Sequence, residues 1–371
     1  MGWLTSNLLT IGLLGLIALV ASFFIPNQAV RWIVRSVGIV SILLLVVGAV
    51  VVITSAPGGE DTVDDAPSLP PEVRNKLEAL SKGWDSEASA NWPVAELMAE
   101  LSEASYEPPV DAYETFKKLG FEQPMPLVDG SMLGYVTYRG EVAVIVFRGT
   151  DNNIDWIVNL TRNATQTPKG PIHRGFYDAY APMKLQLSKV LTDRRPKHVW
   201  VTGHSLGGAM AVVCAQDLIE NQNVEVDGLI TFGQPMLVRQ PLVAHLDQLL
   251  LGRYAHYVNS TDIVARIPPS YSHCGSLVWF TAEGVKRSKP KRLAFSAEST
   301  DDPPVAGVEI EPISDQELEA LKAELKGEEL RPKMLAPDGP PYAGSSSYIQ
   351  DHAMALYLEK IRGVSASIGS H

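Results

Sequence analysis

Residues 198–208 read HVWVTGHSLGG, an apolar run that passes directly into a glycine-rich turn. The run His198 to Thr202 has the composition of a buried strand, and the alanine-rich stretch from Gly208 to Glu220 has that of a helix. The turn between them carries the pattern Gly-x-Ser-x-Gly, with Ser205 at its centre. A strand, a sharp turn and a helix in this order predict a serine displayed at the edge of a sheet.

The glycines of this turn have a steric reason. A nucleophilic serine stands on a strained turn, where side chains two positions before and after it would collide, so glycine is needed at Gly203 and Gly207. The turn also aims the N–H of Leu206 at a reacting oxygen, and the amino end of the helix adds positive potential. The alternative is a glycine-rich turn with a passive serine. We predict Ser205 as a nucleophile and Leu206 as one donor of an oxyanion hole.

Strand and helix patterns alternate on both sides of the turn. Residues 134–138 and 141–147 predict a hairpin, and further strands are predicted at 226–232, 254–258 and 277–280, with helical stretches between them. This alternation is typical of an α/β fold in which helices cover both faces of a mostly parallel sheet.

Two uncharged apolar runs, Leu4 to Ile25 and Ser36 to Ile53, open the chain. Each is long enough to cross a hydrocarbon core of ~30 Å. A cleaved signal peptide and buried core helices are alternatives. No basic residue precedes the first run, however, and neither run has a polar face. We therefore predict a transmembrane helical hairpin over residues 1–55.

The charges beside these runs predict their orientation. Arg31 and Arg35 lie between the two runs, whereas residues 60–65 after the second run are acidic. Because positive charge favours the cytoplasmic side, the hairpin tip is expected in the cytoplasm. We expect a multi-pass membrane protein whose main domain lies on the non-cytoplasmic side.

The rest of the chain divides by composition. Residues 56–71 are rich in Gly, Pro, Ser and acidic side chains, which predicts a linker. One α/β domain is expected over residues 72–371, beginning with helical periodicity up to Gly120. From about 283 to 347 a basic run, proline-rich stretches and one amphipathic helix break the alternation, and we interpret this segment as an insertion.

Charge and cysteine content exclude several kinds of partner. The net charge of -11 argues against nucleic acid, which needs clustered Lys and Arg. The basic run at 286–292 is expected to be a solvated loop, with a contact to lipid headgroups as the alternative. Cys214 and Cys274 lie in no zinc-ligand spacing, so no metal site is expected. The two cysteines are predicted to be free thiols, with one bridge between them as the alternative.

Six segments resemble the class 3 lipases, which are triacylglycerol-lipase-like α/β-hydrolases. They are, in chain order, FRGT at 147–150, HRGF at 173–176, GHSLGG at 203–208, NSTDIVARIPP at 259–269, YSHCG at 271–275 and DHAMALYL at 351–358. The resemblance extends over about 134–361 and leaves the hairpin and the insertion outside. It implies an α/β-hydrolase fold and ester hydrolysis that requires no metal or cofactor.

The resemblance also implies roles for particular residues. Ser205 corresponds to the nucleophile, Asp262 to the triad acid and His352 to the base, in the chain order typical of this fold. His273 is the alternative base, because it follows Asp262 closely. Thr150, at the carboxyl end of a strand, is the second oxyanion donor beside Leu206.

These roles predict a membrane-anchored lipase or carboxylesterase that cleaves lipid esters through an acyl-enzyme. The alternatives are a catalytically silent, membrane-tethered scaffold with the same fold, and an esterase for soluble esters. Residues 151–171 occupy the position at which related fungal enzymes carry a lid. We expect a lid or an acyl-site wall there, with an ordinary surface helix as the alternative.

Overall fold

The computed structural model describes residues 69–84, 91–150, 153–250, 252–288, 308–329 and 350–368. The predicted transmembrane hairpin and most of the predicted linker lie outside these ranges. Within them, no helix is both long enough and apolar enough to cross a membrane. The first described helix begins at Pro71, where the predicted linker ends.

The sheet of the described domain has eight strands, and its centre is parallel as predicted. Strands β3, β6, β7, β8 and β9 run parallel to one another, while β1, β2 and β10 pair antiparallel at the two edges. Across the sheet the strands are β1 (Met125–Asp129), β2 (Met132–Arg139), β3 (Val142–Phe147), β6 (His198–His204), β7 (Gly228–Phe232), β8 (Tyr254–Asn259), β9 (Ser276–Thr281) and β10 (Gly284–Arg287). A separate hairpin joins β4 (Ala164–Thr167) to β5 (Gly170–His173).

Helices cover both faces of the sheet. One face carries α1 (Pro71–Ser81), α2 (Trp92–Ala104), α3 (Pro109–Lys118) and the last helix α10 (Met354–Ile368). The other carries α5 (Arg174–Tyr180), α6 (Lys184–Arg194), α7 (Leu206–Asn221) and α8 (Leu242–Leu250). The short helix α4 (Asn153–Val158), the helix α9 (Asp315–Glu329) and the 3₁₀ turns Ala181–Met183 and Val264–Arg266 complete the elements.

Each face of the sheet has its own apolar core. Successive side chains of a strand point to opposite faces, so Val199 and Val201 of β6 pack beneath α7, whereas Trp200 packs beneath α1 and α2. A strand buried on both faces reads as a continuous apolar run, which is why β6 was recognisable in the sequence.

The register aligns the carboxyl ends of the central strands. Phe147, the last residue of β3, pairs with Gly203 of β6, and His204 pairs with Phe232, the last residue of β7. Residues that follow these strands therefore leave the sheet at the same edge. This edge is where the predicted nucleophile lies.

The last helix, α10, is tied to α2 by charged side chains. Lys76 is almost fully buried and lies 2.8 Å from Glu96 and 3.0 Å from Glu100. Arg362 of α10 lies 2.8 Å from the same Glu100. Since a buried ion needs a partner, this network fixes α10 relative to the amino-terminal helices.

The segment predicted as an insertion is only partly separate from the sheet. Gly284–Arg287 is the edge strand β10, although the insertion was predicted to begin at about 283. Four residues that include two basic side chains give too little apolar alternation to signal a strand. Further along, α9 buries Leu318, Leu321 and Leu325 in the same core as α7.

Candidate active site

Ser205 stands on a strained turn between β6 and α7, as predicted. Its φ of 58° and ψ of -131° are rare for a residue with a side chain. An added Cβ on Gly203 would lie 2.4 Å from the carbonyl oxygen of Gly207. On Gly207 it would lie 2.1 Å from the carbonyl oxygen of Phe147. The second glycine is therefore required by close contact with β3, and not only by the turn.

Gly207→Ala is expected to lower the free energy of unfolding by about 2–4 kcal/mol. The added Cβ would clash with the backbone of Phe147 and Arg148, which cannot turn aside as a side chain could. Urea denaturation measures this change. The matched control is Gly363→Ala in α10, where an added Cβ meets no atom within 4 Å. There the greater helix propensity of alanine should raise stability by up to ~1 kcal/mol. Equal midpoints for Gly207→Ala and wild type would disprove the close contact with β3.

Asp262 and His352, which are 90 residues apart in sequence, form a buried pair. Asp262 lies in the loop after β8, and His352 lies just before α10. The distance from His352 Nδ1 to Asp262 Oδ2 is 2.8 Å, and both side chains are fully buried. Because a carboxylate only accepts hydrogen bonds, Nδ1 carries the proton and Nε2 carries the lone pair.

Two further donors hold the Asp262 carboxylate. Tyr357 donates its hydroxyl to Oδ2 at 2.5 Å, and the N–H of Val264 donates to Oδ1 at 2.9 Å. The Tyr357 hydroxyl in turn accepts the N–H of Asn259 at 3.0 Å. Burial, together with the Asp262 charge, holds the pKa of Tyr357 well above its usual value, so it remains a donor. Sequence reasoning did not assign this role to Tyr357.

Gly233 makes room for the pair. It follows β7 directly with a φ of 52°, and an added Cβ would lie 2.8 Å from Asp262 Oδ2 and 2.9 Å from His352 Nδ1. Sequence analysis also missed this residue. The available signal was a glycine immediately after a buried strand, at the same sheet edge as Ser205.

The nucleophile and the pair meet at the end of β7. The N–H of Ser205 donates to the carbonyl of Phe232 at 2.9 Å, and the next residue is Gly233, which borders the pair. Within the described part of the chain, Ser205 Oγ and His352 Nε2 are buried and have no hydrogen-bond partner, so they are not bonded to each other. Buried polar atoms without partners are uncommon, and these two lie on the residues predicted to exchange a proton.

His273, the alternative base, has other partners. Its Nε2 lies 2.7 Å from the carbonyl oxygen of Ala265, and its ring stacks on His256 with centroids 4.3 Å apart. Burial lowers the pKa of His273 to about 4. The carboxylate of Asp262 is bonded to His352 instead, so the geometry favours His352 as the base.

Of the two residues predicted to form the oxyanion hole, Leu206 follows Ser205 directly, and Thr150 follows a residue that lies close to it. Leu206 is the first residue of α7, whose initial N–H groups have no acceptor within the helix. The segment between β3 and Thr150 lies against the turn. An added Cβ on Gly149 would lie 3.0 Å from the Cβ of Ser205. Thr150 is thus next to a residue in contact with the nucleophile.

The segment after Thr150 is a short helix followed by a hairpin rather than one long lid helix. In α4, Ile157 is fully buried, and Trp156 stacks on Phe176 with centroids 5.9 Å apart. The helix α9 packs against this segment. Lys322 donates to the carbonyl of Leu160 at 2.9 Å.

No group of three or more His, Cys, Asp and Glu side chains in the described ranges is arranged to hold a metal ion. Cys214 and Cys274 are both buried, and they form no disulfide.

Part of the chain that contains the site is similar to known proteins. Residues 144–272 match the family model described as lipase (class 3), a range that includes Ser205, Asp262 and Thr150 but ends before His352. A lipase of Rhizomucor miehei is 35% identical over 150 residues, which cover 37% of this chain and 41% of the relative. A secreted mono- and diacylglycerol lipase of Malassezia globosa is 30% identical over 120 residues, covering 30% and 40%.

The chain thus spans about 40% of the length of these curated relatives. A solved structure, described as a triacylglycerol lipase with a serine protease triad as its catalytic centre, is 25% identical. The alignment covers 52% of this chain and 82% of that one, with a TM-score of 0.45.

Proposed function

We propose, from the premise that residues 144–272 belong to the class 3 lipase family, that this protein is a serine hydrolase of carboxylic esters that acts on lipids. The observation that carries the proposal is the sheet edge at which Ser205, on its strained turn, meets the buried pair of His352 and Asp262. The relatives that support it are themselves described as lipases.

In the proposed reaction, His352 Nε2 takes the proton of Ser205 as Oγ attacks the ester carbonyl carbon. The carbonyl oxygen becomes an oxyanion and accepts the N–H groups of Leu206 and Thr150. His352 then protonates the departing alkoxide, which leaves as the alcohol, and the acyl group remains on Ser205. Water, deprotonated by His352, attacks the acyl carbon, and His352 returns the proton to Ser205 Oγ as the acid leaves.

The role of Asp262 in this scheme is electrostatic. It keeps the His352 proton on Nδ1 and stabilises the imidazolium without taking the proton itself. Tyr357 and Val264 also donate to the carboxylate, so it does not turn away from His352. The pair is therefore held in place before any substrate binds, which lowers the cost of reaching the transition state.

A lipid substrate is proposed on two grounds. The first is that the segment after Thr150 contains the apolar residues Trp156, Ile157 and Leu160, and we propose that this segment forms part of an acyl-chain site. The predicted hairpin at 1–55 would tether the enzyme to a bilayer, with the catalytic domain on the non-cytoplasmic side. That anchor rests on the sequence alone.

The test is hydrolysis of p-nitrophenyl esters, from acetate to palmitate, by the purified full-length protein in detergent. We expect hydrolysis throughout the series, with kcat/KM rising toward the longer chains because each buried methylene adds ~0.8 kcal/mol of binding. Hydrolysis of the acetate ester alone would indicate that the substrate is a soluble ester and not a lipid. No hydrolysis of any ester would favour the silent scaffold.

A further inference from the structure

A tyrosine outside the lipase-like segment reaches the nucleophile turn. Tyr106 follows the carboxyl end of α2 and is partly buried. Its hydroxyl oxygen lies 2.8 Å from Nδ1 of His204, the residue immediately before Ser205. The two rings meet edge to face, with centroids 5.7 Å apart. A polar contact across 98 residues of sequence therefore ends one position from the nucleophile.

The other nitrogen of His204 reaches the base. His204 Nε2 lies 2.8 Å from the backbone carbonyl oxygen of His352, and the two imidazole rings are 4.5 Å apart. A carbonyl only accepts, so Nε2 of His204 must carry a proton. Burial, reinforced by the neighbouring His352, holds the pKa of His204 well below its usual value, so its ring is neutral. Nδ1 is then the acceptor, and Tyr106 is the donor to it.

These contacts hold His352 at two points. Asp262 keeps the proton of His352 on Nδ1 and fixes the orientation of the His352 ring. His204 holds the backbone carbonyl of His352. Neither contact uses Nε2, which stays available for the hydroxyl of Ser205. The position of the base thus depends on which nitrogen of His204 carries the proton.

The Tyr106 hydroxyl also contacts Gly149, in the segment between β3 and Thr150. An added Cβ on Gly149 would lie 2.3 Å from the Tyr106 oxygen, so the hydroxyl occupies the space where another residue would have a side chain. One phenol therefore contacts both the segment before Thr150 and the histidine that holds the base.

We propose that Tyr106 is a positioning residue for the reaction: its hydroxyl donates to Nδ1 of His204 and orients the ring, and His204 thereby holds the backbone of His352 at the correct distance from Ser205. Tyr106 touches no reacting atom. The inference rests on the proposed hydrolase function, and it gives the amino-terminal helices a part in catalysis.

The first test is Tyr106→Phe, which keeps the ring and removes only the hydroxyl. Without this donor, the His204 ring loses one of its two hydrogen bonds and can shift, which weakens its remaining bond to the His352 carbonyl. We expect kcat for a p-nitrophenyl ester to fall about tenfold with little change in KM, because the loss affects the geometry of the base and not substrate binding. An unchanged kcat would overturn the proposal.

The matched control is Tyr135→Phe. Tyr135 is fully buried in β2, and its hydroxyl has no hydrogen-bond partner in the described part of the chain. Removing that hydroxyl should leave kcat and KM as they are in wild type. An equal fall in kcat for both variants would show a general effect of removing a buried hydroxyl, and would contradict a specific role for Tyr106.

The second test separates positioning from packing. His204→Gln replaces the ring by an amide whose N–H donates to the His352 carbonyl without help from Tyr106. In the His204→Gln background, Tyr106→Phe should change kcat less than about twofold. A persistent tenfold effect would mean that Tyr106 does not act through His204. If the His204→Gln protein does not fold, the kcat of Tyr106→Phe alone decides.

Labelling by a fluorophosphonate distinguishes the two possible failures. If the wild-type protein is neither labelled nor active, the proposed hydrolase function is wrong. If the wild-type protein is labelled at Ser205 and Tyr106→Phe keeps the wild-type kcat, only the positioning role of Tyr106 is wrong.

Discussion

Replacing Ser205 by alanine is expected to lower kcat by about four to six orders of magnitude, because the attacking oxygen is lost and only binding and oxyanion stabilisation remain. The free energy of unfolding should stay within ~1 kcal/mol of the wild-type value. The Ser205 hydroxyl has no hydrogen-bond partner within the described residues, so its removal breaks no folded-state bond. Ester hydrolysis and urea denaturation of the same preparations measure both quantities.

Ser102→Ala is the matched control, and it should show the opposite pattern. Ser102 is equally buried, but its hydroxyl lies 3.2 Å from the hydroxyl of Thr202, away from the proposed reaction. We expect a loss of ~1 kcal/mol in stability and wild-type kcat. Substantial hydrolysis by Ser205→Ala would assign the chemistry to another nucleophile.

Asp262→Asn is expected to lower kcat by about 10⁴-fold through the wrong histidine tautomer. The N–H of Val264 donates to Oδ1, so the amide oxygen of the new side chain must stay at that position. The amide nitrogen then faces His352 Nδ1 and donates to it. The proton of His352 moves to Nε2, which can no longer accept the proton of Ser205.

A second aspartate–histidine pair in the same protein supplies the control. Asp227 accepts from His198 Nδ1 at 2.9 Å and from the N–H of Val199 at 2.8 Å, at the amino end of β6. Asp227→Asn therefore makes the same chemical change at the opposite end of the strand from Ser205. It should leave kcat unchanged. Equal activity losses in the two variants would point to general destabilisation rather than to the tautomer of His352.

The local parts of this protein could be predicted from sequence because their signals are local. An apolar run buried on both faces marked β6, and glycines two residues on either side of Ser205 marked the turn. The parallel centre of the sheet followed from the alternation of strands and helices. The edge strand β10 and the β4–β5 hairpin were missed, since each strand has only four residues and little apolar alternation.

The long-range parts could not be predicted from composition or periodicity. The pairing of Asp262 with His352 was available only through resemblance to a known family, because nothing near either residue indicates the other. Tyr357, Gly233 and Tyr106 owe their roles to contacts made across the fold. A phenol that donates to a triad carboxylate looks, in sequence, like any other tyrosine on an amphipathic helix.

The convergence of Ser205, Asp262 and His352 is tested most directly by mapping the site of a fluorophosphonate adduct by mass spectrometry. In the 371-residue chain, we predict one modified peptide, with the adduct on Ser205. Modification should be slower by at least about a thousandfold in His352→Ala, because the serine loses its base. An adduct on another residue, or labelling of His352→Ala at the wild-type rate, would contradict the proposed triad.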